Sequence, residues 1–326
     1  MLIDEGKGKK GVAKKSAPKP YKFQLFSFKQ TNFYSLNLIN KYENGLALMK
    51  FDELKIDTND LFDSYDYKII AAESVTSEFI LNDQLMEKWK AAIAKKIPLC
   101  LHRIGYSEDA EFSIYLNPTY LLKLPNIPKN IQEMHIIRFW LEQLFKCAFK
   151  EGGFNATIFN PEMLNLLFDN DKTISPQFNI QQPYVVLKNN TFDDFLKFTL
   201  NHLANSTYLI LDIFYIRNFE EYADILFNIL TNEGNKFPKI ILQSYEFPKL
   251  YDLIVEYIIT SKDCSKMVSE IGLDVPFQDF KLDKRAENVQ NRWESSLIRY
   301  EIANIYNPKV RFSFNKLSGS VFITRM

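Results

Sequence analysis

Tyr184-Val-Val-Leu, Tyr208-Leu-Ile-Leu-Asp-Ile, Lys239-Ile-Ile-Leu and Met267-Val-Ser-Glu-Ile-Gly-Leu are four short β-rich runs separated by amphipathic helical runs. Counted from Val185, Leu209, Ile240 and Met267, they recur at roughly 24, 31 and 27 residues, the period range of stacked strand–helix units. One such unit cannot bury its apolar face alone. It needs a neighbour, and the resulting stack presents a long side surface suited to binding rather than to catalysis.

The helices of this series are expected at Phe192–Leu203, Phe219–Leu230 and Pro248–Thr260, with Thr191, Asn218 and Glu246 in capping positions. Asn-Glu-Gly-Asn at 232–235 is expected to end the second one through a residue in the left-handed region. Beyond Pro276 the pattern changes. Arg299–Ile302, Val310–Phe314 and Ser320–Thr324 read as strands of a small antiparallel meander that covers the end of the stack.

Upstream, Gly152-Gly153 is read as the stop of a helix over Met134–Phe149, followed by a strand at Phe154–Phe159 and a helix opened by Asn160-Pro161. Asn82 or Asp83 caps a helix running to Lys95–Lys96 that buries Leu85, Met86 and Trp89. Residues 67–80 read as extended, and the runs from Pro98 and from Glu111 as two strands. Leu121–Pro128 reads as a loop. From Phe23 to Leu54 the apolar residues recur at helical spacing, whereas residues 1–20 hold six lysines among Gly, Ala, Ser and Pro and cannot nucleate a core.

The chain has 326 residues, 46% of them hydrophobic and 15% aromatic, which excludes a disordered chain overall. Lys plus Arg and Asp plus Glu are 40 each, so no net field favours nucleic acid or an acidic membrane. The three cysteines, Cys100, Cys147 and Cys264, are odd in number and far apart, which argues against a disulfide framework and for a reducing compartment. No apolar run is long enough to span a bilayer, and the N-terminus lacks the apolar core of a signal peptide. The expectation is an intracellular protein, cytoplasmic or nuclear, with no nucleic-acid and no membrane partner. On that view the sequons at Asn155, Asn189 and Asn205 are chance matches.

No catalytic, cofactor or metal site is legible. The glycines form neither GxGxxG nor GxxxxGK[ST]. His102, His135 and His202 stand apart from one another and from the cysteines. Cys147 is read on the apolar face of a helix and Cys100 in a strand between leucines, while Cys264 is expected to be more exposed. Asp193-Asp194 and Glu220-Glu221 fall in first helical turns, where a carboxylate complements the helix dipole. The chain is therefore not expected to be an enzyme.

Several longer strings carry a resemblance. They are Gln24-Leu-Phe-Ser-Phe-Lys-Gln-Thr-Asn-Phe-Tyr, Asn37-Leu-Ile-Asn-Lys-Tyr-Glu, Leu81-Asn-Asp-Gln-Leu-Met-Glu-Lys-Trp and Leu250-Tyr-Asp-Leu-Ile-Val-Glu-Tyr-Ile. Through these, and through similar strings reaching into the C-terminal strands, the chain resembles the nematode-expanded F-box proteins abundant in plant-parasitic species. The resemblance implies the substrate-recognition subunit of a cullin-type (SCF) ubiquitin ligase. Residues 23–42 then correspond to the second half of an F-box, with Leu25, Phe26, Phe33 and Leu38 as anchors for the Skp adaptor. The Leu-Pro start and first helix of that motif are absent, so the F-box is read as N-terminally truncated. At about 1.5–3 kcal/mol for each large apolar anchor, losing several would abolish the contact. The alternative is a free-standing binding protein.

The resulting expectation is an α/β fold: an irregular leucine-rich-repeat-like strand–helix stack closed by an antiparallel meander, with a short helical F-box remnant. Its parts are a basic tail (1–20), the remnant (21–60) and a recognition domain (61–326), with the stack at 154–275 and the cap at 276–326. Tyr215, Arg217, Gln243 and Tyr245, beside the stacked strands, are the candidate substrate-contacting residues.

Overall fold

Asparagine side chains start the helices of the first half. Our computed structural model describes residues 49–57, 67–70, 72, 79–102, 111–117, 120–154, 157–169, 171, 173–188, 192–245, 247–274, 282–292, 297–317 and 320–326. Following strands β1 (Lys50–Asp57) and β2 (Lys68–Ile70), Asn82 accepts a hydrogen bond from the Leu85 N–H at 2.9 Å and opens helix α1 (Asp83–Ala94). Strands β3 (Cys100–His102), β4 (Glu111–Asn117) and β5 (Tyr120–Pro125) come next. Asn130 then caps α2 (Ile131–Phe145) through the Glu133 N–H at 2.9 Å, and the Glu133 carboxylate reaches back to the Lys129 N–H at 2.7 Å. Beyond β6 (Ala148–Phe154) and β7 (Thr157–Phe159), Asn160 and Pro161 start α3 (Pro161–Leu167) in the expected way.

The second half alternates as its sequence predicts. It runs β8 (Phe178–Lys188), α4 (Phe192–His202), β9 (Leu203–Ala204), β10 (Leu209–Tyr215), α5 (Glu220–Asn232), β11 (Lys239–Gln243), α6 (Pro248–Thr260) and β12 (Glu270–Asp274). The meander follows as β13 (Glu287–Arg292), β14 (Leu297–Ala303), β15 (Arg311–Leu317) and β16 (Ser320–Arg325). The chain divides into Met1–Met49 and Lys50–Met326, and every described element lies in the second unit.

Among the described residues one mixed sheet runs in the order β13-β14-β15-β16-β12-β11-β10-β8-β6-β1-β4-β5-β2, with β9 beside β8, while β3 and β7 form a separate antiparallel pair. The middle of this sheet, from β12 to β1, is all parallel. There β6, β8, β10, β11 and β12 follow one another in chain order, each joined to the next through a helix. Sequential order with right-handed crossovers puts those helices on one face of the sheet. Accordingly α3 packs on α4, α5 on α6, and α1 on both α2 and α3. The meander is antiparallel throughout and docks its last strand, β16, on β12.

One local pattern organises the parallel region. Phe51-Asp-Glu-Leu-Lys-Ile, Phe149-Lys-Glu-Gly-Gly-Phe, Ile180-Gln-Gln-Pro-Tyr-Val, Ser206-Thr-Tyr-Leu-Ile-Leu, Phe237-Pro-Lys-Ile-Ile-Leu and Val268-Ser-Glu-Ile-Gly-Leu align on six adjacent strands. In each, the first, fourth and sixth residues are buried while the second is exposed. Two consecutive residues thus point away from the core at the same level of every strand, where simple alternation allows only one. The buried positions form the floor under the helices. Leu54, Val185, Leu209, Ile240 and Ile271 are all fully buried there, and each contributes about 1.5–3 kcal/mol. Phe154, Phe159, Phe178 and Phe198 continue this core, with ring centroids 4.8 Å to 6.5 Å apart.

Several expectations are corrected. Residues 50–57, assigned above to the helical segment, form β1 inside the sheet; Leu25, Phe26, Phe33 and Leu38 lie outside the described residues. The helix expected to run to Phe149 ends at Phe145, and Gly152-Gly153 sits within β6, where packing against Ile180 requires glycine at 152 while 153 has ordinary clearance. Leu121–Pro125, read as loop, belongs to strand β5, whose alternation Tyr120-Leu-Leu-Lys-Leu is completed by pairing with β4. Gly234 is not in the left-handed region. A β-carbon there would lie 2.4 Å from the Met267 carbonyl oxygen, so close backbone approach is what requires glycine. Asn218 does not cap α5 by accepting a bond; its amide donates to the Glu221 carboxylate at 3.3 Å and its φ is 56°.

Candidate functional site

The face of the sheet opposite the helices carries the third and fifth residues of each six-residue pattern. The fifth positions form an unbroken row across the sheet: Lys55, Gly153, Tyr184, Ile210, Ile241 and Gly272, paired in that order, then Phe322 of β16. Beside it run the third positions Glu53, Glu151, Gln182, Tyr208, Lys239 and Glu270. Two neighbouring pairs in this row are linked: the Tyr208 hydroxyl donates to Gln182 Oε1 at 2.8 Å, and Lys239 meets Glu270 at 2.5 Å.

A third row lies nearer the carboxyl ends of the parallel strands and is polar. It runs Val186, Asp212, Gln243, Asp274 and Ser320. Asp212 is buried, and its carboxylate accepts from the Tyr184 hydroxyl at 2.5 Å and the Phe214 N–H at 3.0 Å. Burial, and then that bond to the carboxylate, raise the Tyr184 pKa above the usual phenol value, so the hydroxyl keeps its proton. Gln243 donates to Asp274 Oδ2 at 3.3 Å and Ser320 to Asp274 Oδ1 at 2.7 Å. Its two aspartates are therefore each held by two hydrogen bonds.

At the carboxyl rim the structure brings the sequence candidates together. Tyr215 ends β10 at 54% exposure, Arg217 lies exposed two residues on, Gln243 ends β11 half-buried, and Tyr245 follows at 70% exposure. Phe214 holds the Tyr245 ring edge-on, with centroids 4.8 Å apart, and Lys188 Nζ lies 5.2 Å from the Tyr215 ring. Exposed aromatics fixed by neighbours lose little entropy on binding, which is why such residues dominate interface energetics. The carboxyl ends of parallel strands are also where open α/β sheets place ligands.

Sequence reasoning missed the central part of this face, where a hollow of about 420 Å³ opens over β6. Glu53, Lys55, Glu151, Gly152, Gly153, Gln182, Tyr184, Tyr208 and Ile210 line it. It exists because Gly153 contributes no side chain to the fifth-position row: a β-carbon there would meet Glu53 Oε1 only at 3.6 Å and Lys55 Cγ at 3.8 Å. The signal was present in the five-residue spacing of Phe149 and Phe154, which aligns Phe149-Lys-Glu-Gly-Gly-Phe with Phe237-Pro-Lys-Ile-Ile-Leu. A helix-ending reading of the glycine pair concealed it.

The groups reviewed for chemistry sit elsewhere. Cys100 and Cys147 are buried, Cys147 just past the end of α2 rather than within it. Cys264, expected to be exposed, is buried as well, and burial raises its pKa. Asp193, Asp194, Glu220 and Glu221 stand in the first turns of α4 and α5, as the sequence predicts. Among the described residues no group of three or more His, Cys, Asp or Glu is placed to hold a metal ion, and no helix is long and apolar enough to cross a membrane.

Residues 70–214 match a family described as a domain of unknown function (DUF8381). That span runs from the end of β2 into β10 and includes most of the hollow, while Glu53, Lys55, the rim tyrosines, β11, β12 and the meander lie outside it. No curated protein and no solved structure matches the chain.

Proposed function

We propose that this chain is a protein-interaction module that binds its partner on the face of the sheet opposite the helices, as the substrate-recognition part of an SCF-type ubiquitin ligase subunit. One observation carries the binding half of this reading. Six adjacent strands repeat the same buried and exposed positions in register, so a continuous face of side chains stands clear of the helices. Strands that share this burial pattern and are joined through helices in chain order support the leucine-rich-repeat-like reading, an architecture whose side surface serves recognition. The ligase half rests on the family resemblance and on Leu25, Phe26, Phe33 and Leu38.

Each half has its own test. A photo-crosslinking residue at position 245, on the rim, is expected to give discrete protein adducts in cells, whereas one at position 252, on the exposed side of α6, is not. Adducts from 252 with none from 245 would refute the surface assignment. For the ligase half, the full chain is expected to co-elute with a purified Skp adaptor and to lose it on joint alanine substitution of Leu25, Phe26, Phe33 and Leu38. If the intact chain forms no such complex, the ligase role falls and the binding role stands.

A further inference from the structure

The hollow over Gly153 is rich in hydrogen-bond acceptors, with the Gln182 amide N–H groups and the Lys55 ammonium as its side-chain donors. The Tyr184 hydroxyl proton is committed to Asp212 and the Tyr208 hydroxyl proton to Gln182, so both phenol oxygens offer only lone pairs to a ligand. Glu53 uses one carboxylate oxygen to accept from the Asn117 amide at 2.5 Å, and its other oxygen, Oε1, stands beside the glycine floor. Glu151 spends Oε1 on Lys150 at 3.4 Å. That ion pair is half exposed, so it is screened and weak. Among the described lining residues, acceptors therefore remain on Glu53, Glu151, Tyr184 and Tyr208, and they outnumber the donors of Gln182 and Lys55.

The charge pattern points the same way. Glu53 and Glu151 are direct partners across the β1–β6 ladder, and like charges in that position repel. Lys55 is the one cation among the described lining residues, against the two carboxylates. Two carboxylates, two tyrosine rings and an aliphatic wall from Ile210 suit a planar, donor-only cation with an apolar stem.

We propose that the hollow receives an arginine side chain of the bound protein partner, its guanidinium donating to Glu53 and Glu151 and lying against Tyr184 and Tyr208. A guanidinium carries five N–H donors and no acceptor, can fork onto a carboxylate, and stacks on aromatic faces. This rests on the face opposite the helices being the recognition surface, and it names the chemistry that the centre of that face selects.

The test is a dodecapeptide library displayed on phage and selected on the full chain, with the selected peptides resynthesised and their affinities measured. They are expected to share one arginine whose replacement by citrulline, equal in shape but uncharged, weakens binding at least tenfold. Gly153→Val fills the hollow from a position with ordinary clearance and is expected to cause a similar loss. In that variant, and in Glu53→Gln/Glu151→Gln, citrulline is expected to cost nothing further, because the effects report one contact. Thermal melts of the variants matching wild type separate loss of the site from loss of the fold. An arginine-to-citrulline effect that persists in Gly153→Val overturns the proposal, as does equal binding of a lysine analogue. Peptides that ignore Gly153 but are lost with Tyr245→Ala refute the arginine site and leave the recognition surface in place. A selection yielding no binder counts against both.

Discussion

Gly152 and Gly153 are adjacent in β6 yet face opposite sides of the sheet, and substituting each by alanine tests the whole assignment of faces. A β-carbon at Gly152 would lie 2.9 Å from both Cδ1 and Cγ2 of Ile180 and 3.2 Å from Phe154 Cε2, inside the roughly 3.5–4.0 Å optimum for carbon pairs. Ile180 and Phe154 are both fully buried in a close-packed core, and β-branching restricts χ1 of Ile180, so neither neighbour has free space to turn into. Overpacking of this kind costs about 1–3 kcal/mol. At Gly153 the nearest atoms are 3.6 Å and 3.8 Å away, ordinary contact. Alanine there is expected to stabilise by about 0.4–1 kcal/mol, because it restricts the unfolded chain. That unfolded-state gain is common to both substitutions, so the difference between the variants isolates packing. Urea unfolding at equilibrium is expected to place Gly152→Ala about 1–3 kcal/mol below Gly153→Ala, with unchanged m-values. Equal stabilities would refute the packing argument. A reversed order would mean that β6 is displaced by one residue, which exchanges its faces.

Three further outcomes are expected. His202 is buried, with Nδ1 2.8 Å from the Pro176 carbonyl and Nε2 without a hydrogen-bond partner; burial, and then nearby Lys236, hold its pKa below 6.5. The unfolded chain therefore binds this proton more readily, so His202's contribution is complete above about pH 6.5 and is lost as the pH falls from there through the lower folded value. His202→Leu is expected to flatten, though not abolish, the fall in urea midpoint between pH 7 and 5, since His135 is depressed in the same direction; an unchanged slope would refute this. Arg138 is buried between the Phe79 and Phe168 rings, at 3.8 Å and 4.6 Å, and donates to the Leu167 carbonyl and to Asp171. Arg138→Ala is expected to cost about 3–5 kcal/mol and Arg138→Met less, because methionine keeps the packing and Asp171 reaches water; equal losses in calorimetry would contradict that division. The buried Asn304 amide donates to the Ile258 and Ser261 carbonyls at 2.8 Å and accepts from the Tyr306 and Asn307 N–H groups at 2.9 Å. Asn304→Ala removes all four bonds and is expected to cost at least about 2 kcal/mol; a loss under about 0.5 kcal/mol would show that the turn is held otherwise.

Local signals were read well where they act within one turn or one strand. Asn82 and Asn160 announce their helices because a cap bonds an N–H two or three residues on. The expected bounds of α6 match the observed ones. The rim candidates came together because strands in chain order bring the ends of β10 and β11 side by side. The errors arise where distant chain decides. Tyr120-Leu-Leu-Lys-Leu becomes a strand through pairing with β4, and Lys50–Asp57 enters the sheet between β4 and β6. No window around Phe51 contains β6, so its helical spacing was the only visible cue.

The sequence by itself determined the alternation of strands and helices, the closing meander and the composition of an aromatic-rich chain of zero net charge, because periodicity and capping are local properties. Tertiary structure alone decided which side of each strand meets the helices. Two consecutive outward residues recur at one level of six strands, and this stagger becomes visible only when the strands are set in register. It turned a glycine pair that reads as a helix stop into one residue pressed against Ile180 and another that opens a hollow on the far face.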